Sequence, residues 1–307
     1  MGRFMIKAKA YFENMSQVLF FRNSYFGLAF LLIALIFEPR LALAGIFASL
    51  VGFYFSQSKR TPKVLKDAGL LTINGFFFGI AMASLFRDSA QFYTFLVLGS
   101  LAVPMATLAA NEILQHWKLS PFIISYILVV WLFWLSARAI ALDSTQVELI
   151  HSGWAARLIQ NQYVVIRFFA SVFTGMGRLF FLPNPVFGAA LLVLVSAFSP
   201  RRGLYFLIGT AIATLAAFLI AQQYAPASDF EQYTYSAGLI GIGLASWPEK
   251  FNYKTILLFC LLSVFVTLAS IQLFRNLSLP VLSLPYVLTI WLAILSRTPR
   301  LNLSWVE

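Results

Sequence analysis

The sequence predicts an all-α polytopic membrane protein made of two inverted five-helix repeats, each with an additional re-entrant half-helix. Three observations support this prediction: the composition, a series of apolar segments, and residues that recur about 160 positions apart. Of the 307 residues, 60% are hydrophobic and only 11% are charged. A soluble domain has about 45–50% apolar and about 25% charged residues. The composition therefore indicates a membrane protein and excludes an ordinary soluble domain.

The apolar segments divide each half of the chain into six pieces. Several are shorter than the ~20 residues that a complete membrane span requires. Segments 24–37 and 185–199 are only about 14–15 residues long, and an amphipathic stretch precedes each of them, at 3–21 and 164–182. Each half is therefore expected to contain five spans and one re-entrant half-helix. The apolar segments are 24–37, 39–56, 69–86, 91–114, 119–137, 185–199, 203–221, 233–247, 254–274 and 279–296.

Matching residues recur at a nearly constant spacing along the chain, which indicates an internal duplication. With an odd number of crossings in each half, the two copies must have opposite orientations in the membrane. Inverted repeats with short, broken helices are typical of transporters and channels, whose sites lie near the midplane between the halves. The matching pairs are Asn23/Asn184, Gly27/Gly188 and Pro39/Pro200 at a spacing of 161, Asn74/Ser236 and Gly79/Gly241 at 162, and Tyr126/Tyr286 and Trp131/Trp291 at 160.

The net charge of +11 is explained by the excess of basic residues in cytoplasmic loops of membrane proteins, so no nucleic-acid partner is expected. If the N-terminus is cytoplasmic, 14 of the 22 basic residues fall on the inner side. Loop 222–232 carries two acidic residues and no basic one. We predict a cell (plasma or inner) membrane protein with both termini in the cytoplasm and no cleavable signal. The predicted divisions are a cytoplasmic N-terminus 1–15, a first repeat 16–141, a linker 142–163, a second repeat 164–296 and a cytoplasmic C-terminus 297–307.

Ionisable side chains are scarce in the apolar segments, and this limits the mechanism. Among the acidic residues only Glu112 lies near a segment end, whereas ion- or proton-driven transporters normally place carboxylates within the membrane. The single cysteine, Cys260, excludes an intramolecular disulfide and a cysteine-based metal cluster. His116 and His151 share no metal partner, so no cofactor or metal is expected. The sequence favours passive transport over enzymatic activity, with a membrane enzyme or a non-conducting scaffold as alternatives.

Several blocks of sequence resemble the urea transporter family over about residues 16–296. The stretch "LPVLSLPY" (279–286) is similar to the family's Leu-Pro-x-x-Thr-x-Pro-Phe motif, with Ser283 in place of Thr and Tyr286 in place of Phe. Its first copy, "LSPFIISY" (119–126), has Ile123 at the Thr position. Blocks 16–27 and 177–188 resemble the family's Gln-Val-Phe-Phe-x-x-Asn-Pro-x-x-Gly block. Block 69–81 resembles its Gly-Leu-x-x-Phe-Asn-Gly-x-x-x-Gly block.

This resemblance implies a passive channel for urea or a similar small neutral amide, with a central pore along a pseudo-twofold axis and a homotrimeric assembly in the lipid bilayer. It also gives a reason for Pro280 and Pro285. A proline inside a helix frees a backbone carbonyl, and a broken helix is tolerated where it lines a cavity. Freed carbonyls would then accept the N–H groups of an amide. Without the resemblance, a proline-kinked helix explains this stretch as well.

Six residues are the predicted pore-lining or substrate-binding positions by resemblance. Ser283 is expected to donate a hydrogen bond to a substrate carbonyl, whereas Ile123 cannot, which predicts an asymmetric pore. Phe20 and Phe181 match an aromatic slot for flat urea, although lipid-facing or core phenylalanines are an alternative. The six positions are Gln17, Phe20, Ile123, Arg178, Phe181 and Ser283.

Gln17 and Arg178 occupy equivalent positions where the family has an amide or an acid near the site. Both side chains also have an alternative role at the lipid headgroups. A guanidinium has five donors and no acceptor, and it stays protonated. Arg178 therefore leaves a channel for a small monovalent anion such as formate as the alternative function. Four further residues are predicted to cap helix ends or bind broken backbone, with direct substrate contact as the second possibility: Asn23, Asn74, Asn184 and Ser236.

Overall fold

The structure is a computed structural model that describes residues 2–140, 163–221, 230–247 and 251–297. All the regular secondary structure in these ranges is helical, as the sequence predicts. Two 3-10 turns, Gln17–Leu19 and Gln115–Trp117, extend helices. The helices are α1 Gly2–Ser16, α2 Ser24–Phe37, α3 Pro39–Ser56, α4 Lys63–Asp67, α5 Leu70–Leu85, α6 Ala90–Leu114, α7 Ile124–Ala139, α8 Val164–Arg178, α9 Pro185–Phe198, α10 Pro200–Ala221, α11 Phe230–Ala245, α12 Tyr253–Asn276 and α13 Leu284–Leu295.

Four helices in the described residues are long and apolar enough to cross a membrane: α3, α6, α10 and α12. A fifth candidate is the pair formed by Met5–Leu19 and α2, which is bent by 73° at a short break. Such a bend is that of a broken span or a re-entrant loop, and it lies where the sequence predicts the first half-helix. Five shorter apolar helices accompany these spans. The architecture is that of a multi-pass membrane protein.

The order of helices is the same in the two halves of the chain. Helices α1, α2, α3, α5, α6 and α7 are followed, after the residues outside the described ranges, by α8 to α13 with similar lengths. The starts of α2 and α9 are 161 residues apart, and those of α7 and α13 are 160 apart. Only the short α4 has no counterpart among the described helices. The predicted linker 142–163, with His151, lies almost entirely outside those ranges.

Glycines set the close packing of the short helices in both halves. A Cβ atom added to Gly27 in α2 would collide with the backbone carbonyl of Phe12 in α1. The same collision would occur between Gly188 in α9 and the carbonyl of Phe173 in α8. Small residues allow helix backbones to approach in this way in membrane proteins. The amphipathic stretch before each half-helix is therefore packed tightly against it.

Helices α5 and α11 form the centre of the molecule. Every residue from Leu70 to Ser84 is buried, and so is every residue from Thr234 to Ala245. A helix that is apolar all round is typically enclosed by other helices. Helix α5 packs against α3, α6 and α7, and α11 packs against α10, α12 and α8. These two central helices support the breaks between the surrounding helices.

Candidate functional site

Helix breaks in the described residues contain side-chain-bearing residues in the left-handed backbone region. This conformation costs an L-residue roughly 1–2 kcal/mol, and such strain is concentrated at functional sites. The six residues form three pairs, each 160 or 161 positions apart. The pairs are Phe20 (φ 63°) with Phe181 (φ 59°), Lys118 (φ 56°) with Ser278 (φ 54°), and Phe122 (φ 43°) with Leu282 (φ 51°).

The first break of each half is closed by an asparagine at the start of the short helix. Asn23 Oδ1 accepts hydrogen bonds from the amides of Tyr25 and Phe26, at 2.9 and 3.2 Å. Asn184 Oδ1 accepts from the amides of Val186 and Phe187, at 2.9 and 3.3 Å. Both asparagines therefore satisfy amides that have no partner within the helix.

The second break of the first half is held by Asn74 from inside α5. Its Nδ2 donates to the carbonyls of Leu70 and Phe122, at 2.9 and 2.7 Å. Its Oδ1 accepts from the amide of Tyr126, at 3.1 Å. Asn74 is fully buried, and its one side chain therefore satisfies a carbonyl and an amide on the two sides of the break.

In the second half, a tyrosine takes this position and the predicted Ser236 does not. Tyr235 Oη donates to the carbonyl of Leu282, which is the residue equivalent to Phe122. Ser236 lies within α11, and its Oγ is 2.7 Å from Oγ1 of Thr267 in α12. A strict residue-by-residue comparison pairs Asn74 with Ser236, so it overlooks the neighbouring tyrosine.

Two indoles link the breaks across the halves. Trp131 Nε1 donates to the carbonyl of Pro280 at 2.7 Å, and Trp291 Nε1 donates to the carbonyl of Ser120 at 2.9 Å. The donors of the two bonds are 160 residues apart in the sequence, and so are the acceptors. These freed carbonyls therefore already have protein donors, and each keeps a second lone pair for another.

Two tyrosines at equivalent positions differ in their hydrogen bonds. Tyr126 Oη donates to Oγ of Ser283 at 2.7 Å and accepts from the Ser283 amide at 3.2 Å. Tyr286 is its counterpart, and the residue equivalent to Ser283 is then Ile123, which has no hydroxyl. Ser283 is 3% exposed, and it does not line the cavity that Tyr286 lines. Its predicted bond to the substrate stays a prediction.

A cavity of about 1010 Å³ lies between the two halves. It extends from a rim with exposed charged residues to a buried, largely apolar end. Three of the six predicted site residues line it: Gln17, Phe20 and Ile123. The rim includes the exposed Asp67, Lys118 and Arg297 and the half-buried Arg202, and the buried end includes Ile73, Phe77, Phe122, Leu239 and Tyr286.

The lining residues near the first break are fixed by specific contacts. Gln17 Nε2 donates to the carbonyl of Asp67 at 3.0 Å. The ring of Phe20 meets that of Trp247 edge-on, with 6.3 Å between centroids. Arg202 donates to the carbonyl of Phe20 at 2.8 Å, and its guanidinium lies 4.6 Å from the Phe21 ring centroid. Arg202 and Trp247 are site residues that the sequence reasoning missed, because their counterparts in the first half differ in chemistry.

The other predicted site residues lie elsewhere. Arg178, at the end of α8, is partly buried and interacts electrostatically with Tyr235. Phe181 is also partly buried and packs against the core. Neither residue lines the cavity between the halves. Of the two residues predicted to form an aromatic slot, the structure therefore places Phe20 at the cavity and Phe181 away from it.

Stacked aromatic rings lie behind the buried end of the cavity. Phe77 is stacked on Tyr126, with centroids 5.4 Å apart and planes 20° apart, and on Phe180, at 5.9 Å and 7°. Phe180 in turn packs on Phe30 at 4.8 Å. Phe180 is equivalent to Leu19, so this stack has no symmetric counterpart that the sequence comparison could have found.

The described residues contain no group of three or more His, Cys, Asp or Glu side chains that would suit a metal ion. Cys260 is buried as a free thiol. His116 is exposed, and its Nδ1 lies 3.2 Å from the carbonyl of Ile113. The chemistry of this site therefore depends on hydroxyl, amide, guanidinium and aromatic groups.

Comparison with known proteins decides the family. The model of the family "UT: Urea transporter" matches residues 8–298. The chain belongs to the urea transporter family. The family predicted from the sequence is thus confirmed.

Distant relatives of this urea transporter family member are themselves named urea transporters. Urea transporter 1 of Rattus norvegicus is 29% identical over 152 residues, which cover 48% of this chain and 39% of the rat protein. Urea transporter 1 of Mus musculus is 28% identical over 136 residues, which cover 43% of this chain and 35% of that protein. The chain thus matches well under half of the length of these curated relatives.

Proposed function

We propose that this protein is a channel-type transporter that lets urea or similar small neutral amides cross the membrane down their gradient. Family membership over residues 8–298 carries this proposal, and the relatives are urea transporters by name. The cavity between the halves supports it. Its buried end, with Phe77, Phe122 and Leu239, would admit a small uncharged solute at a lower desolvation cost than an ion.

The distribution of carboxylates supports passive transport. No Asp or Glu side chain whose burial the structure describes is buried, and the one acidic residue that lines the cavity, Asp67, is exposed at its rim. Coupling to protons or sodium ions normally needs carboxylates within the membrane. A solute would therefore move only down its own gradient.

The paired breaks support two inverted repeats around a central pore. The two indole bonds, Trp131 to Pro280 and Trp291 to Ser120, are reciprocal: each half gives the donor that the other half receives. A twofold relation produces contacts of this kind. Five crossings and one re-entrant half-helix per repeat, with a homotrimeric assembly, are proposed from the family resemblance.

The charges at the rim support an opening toward the cytoplasm. Lys118, Arg202 and Arg297 line the cavity, and all three belong to the basic residues that the positive-inside rule places in the cytoplasm. We place the protein in the plasma or inner membrane with both termini on that side. These cations would also repel guanidinium and ammonium from the entrance.

The basic residues at the rim also support the second candidate function, a channel for small anions. Three basic residues and one acidic residue line the cavity, which would concentrate an anion such as formate at the entrance. The apolar buried end opposes this function, because an anion would lose its hydration there without a counter-charge.

Solute flux into proteoliposomes tests the proposal. Purified protein should accelerate the entry of urea and acetamide over protein-free liposomes, while formate entry stays at background. Rapid formate entry without urea entry would replace the proposal by the small-anion channel. A folded, inserted protein that moves none of the three solutes would favour an enzyme or a scaffold.

A further inference from the structure

We propose that the Tyr286 hydroxyl binds the permeating solute and makes the pore select for a strong carbonyl acceptor. This inference rests on the proposed transport function. It assigns the substrate-facing donor to Tyr286 rather than to the Ser283 hydroxyl predicted from the sequence. Both residues belong to the same block, "LPVLSLPY", but they contact different surroundings.

The two equivalent tyrosines differ in the hydrogen bonds of their hydroxyl groups. Tyr126 has its hydroxyl engaged by both the side chain and the amide of Ser283. At Tyr286 the equivalent partner is Ile123, which offers no hydrogen-bonding side chain. Within the described residues, no hydrogen bond to the Tyr286 hydroxyl is found, and its ring only meets Phe122 edge-on, at 6.3 Å. The Tyr126 hydroxyl is thus hydrogen-bonded within the protein, whereas the Tyr286 hydroxyl keeps an unused donor.

The position of Tyr286 makes this open donor relevant to transport. Tyr286 lines the cavity at its buried end and is 2% exposed. A buried hydroxyl without a hydrogen-bond partner is energetically unfavourable. The Tyr286 hydroxyl is not among the fully enclosed polar atoms that lack a partner in the described chain, which are Oγ of Ser125 and Nε of Arg167. The unused hydrogen-bond donor of this hydroxyl is therefore directed to the cavity.

The chemistry of a phenol suits a urea-like solute. Its O–H donates one hydrogen bond and its oxygen accepts another, so it can bind a carbonyl oxygen or an amide N–H. The surrounding lining at this depth is Ile73, Phe77, Ile123 and Leu239, and these side chains offer no competing donor. A carbonyl oxygen that leaves water would find its replacement donor at Tyr286.

The test compares two tyrosine-to-phenylalanine variants, Tyr286→Phe and Tyr126→Phe, in proteoliposomes with urea and thiourea. Thiourea has nearly the same shape, but its sulfur is a weak hydrogen-bond acceptor. Tyr286→Phe should slow urea about ten-fold and thiourea less than two-fold, the loss expected for one hydrogen bond. Its melting temperature should not fall, because its hydroxyl has no protein partner. Tyr126→Phe should lower the melting temperature and leave the ratio of urea to thiourea flux unchanged.

Two results would overturn the proposal while wild-type urea flux is intact. One is an unchanged ratio of urea to thiourea flux in Tyr286→Phe. The other is a loss of thermal stability in Tyr286→Phe equal to that of Tyr126→Phe, because it would reveal a buried protein partner. Absence of urea flux in the wild-type protein would instead contradict the proposed transport function itself.

Discussion

At the scale of single residues, the hydroxyl of Ser283 is the clearest case of a side chain with two possible uses. It accepts the hydrogen bond of the buried Tyr126 hydroxyl, yet its own proton remains available to another acceptor. We expect its main contribution to be structural. Ser283→Ala should lower the free energy of unfolding by about 1–3 kcal/mol, because the Tyr126 hydroxyl would lose its acceptor.

Thermal denaturation of the purified variant measures this effect, with Ile123→Val at the equivalent position as the control. That change removes one methylene from an apolar contact and should cost about 0.5–1.5 kcal/mol with little change in urea flux. If Ser283→Ala kept full stability and slowed urea about ten-fold, Ser283 would be the substrate donor that the sequence predicts.

The two arginines near the first breaks should differ in their effect on cations. Arg202 lines the cavity and Arg178 does not. Wild-type protein should exclude guanidinium, and Arg202→Gln should let it enter proteoliposomes above background, since glutamine can still donate to the Phe20 carbonyl but lacks the charge. Arg178→Gln should retain or raise urea flux and keep guanidinium out.

Radiolabelled guanidinium uptake distinguishes these variants. Guanidinium entry through Arg178→Gln, but not through Arg202→Gln, would reverse the assignment. Loss of urea flux in a folded Arg178→Gln protein would make that arginine an obligatory ligand.

Sequence comparison found the residues that are alike in the two halves and missed those that differ. Asn23 and Asn184 have equal positions and equal contacts. Tyr235 and Arg202 were missed, because in the first half their equivalents are Ile73 and Leu41. A repeat reveals shared structure, whereas the asymmetric contacts depend on side-chain directions that residue spacing does not determine.

At the scale of helices, the second breaks depend on side chains from the central helices. Asn74 makes two hydrogen bonds to the break before α7, and Tyr235 makes one at the equivalent break. Asn74→Leu should therefore destabilise the protein more than Tyr235→Phe. Each buried backbone group left without a partner costs about 1–3 kcal/mol.

Melting temperatures of the detergent-solubilised variants give this order, with Ser236→Ala as the control. Ser236→Ala should have the smallest effect, because Thr267 keeps its own bond to the Ser263 carbonyl, at 2.6 Å. A Ser236→Ala variant less stable than Asn74→Leu would contradict this account of how the breaks are supported.

Helices α2 and α9 should tolerate no side chain at Gly27 and Gly188, the glycines that contact α1 and α8. Gly27→Ala and Gly188→Ala each place a methyl group against a backbone carbonyl, and overpacking of this kind costs about 1–3 kcal/mol or more. Gly243→Ala is the matched control, since its nearest neighbours are side-chain atoms of Phe20 and Ile290 at 3.1–3.5 Å.

The yield of monodisperse protein measures the effect of these glycine variants. It should fall for the first two and remain near wild type for Gly243→Ala. Normal yield and stability of both Gly27→Ala and Gly188→Ala would contradict the close contact of α1 with α2 and of α8 with α9.

Helix positions were largely predictable because apolar segments, prolines and cap residues fix them locally. The predicted segments 24–37 and 39–56 correspond to α2 and to α3. The short α4 was not predicted, since it has five residues and only Leu65 buried. The sequence predicts a re-entrant half-helix here but not the 73° bend of the first helix pair, because the angle depends on the tertiary contact at Gly27.

At the scale of the whole molecule, one observation connects the sequence repeat to a possible pathway. Left-handed residues, asparagine caps and indole bonds recur in both halves, whereas the unbonded state of the Tyr286 hydroxyl and the charge of Arg202 have no equivalent in the first half. The repeated features hold the breaks in place. The unrepeated ones line the cavity, so they are the residues on which we expect solute selection to depend.

The central claim is passive urea permeation, and its most direct test is urea flux into proteoliposomes with and without imposed ion gradients. The absence of a buried carboxylate among the described residues leaves no group there for coupling to protons or sodium. We predict urea entry well above that of protein-free liposomes and an unchanged rate when the proton or sodium gradient is collapsed. Accumulation of urea against its own gradient, driven by either ion, would contradict the account.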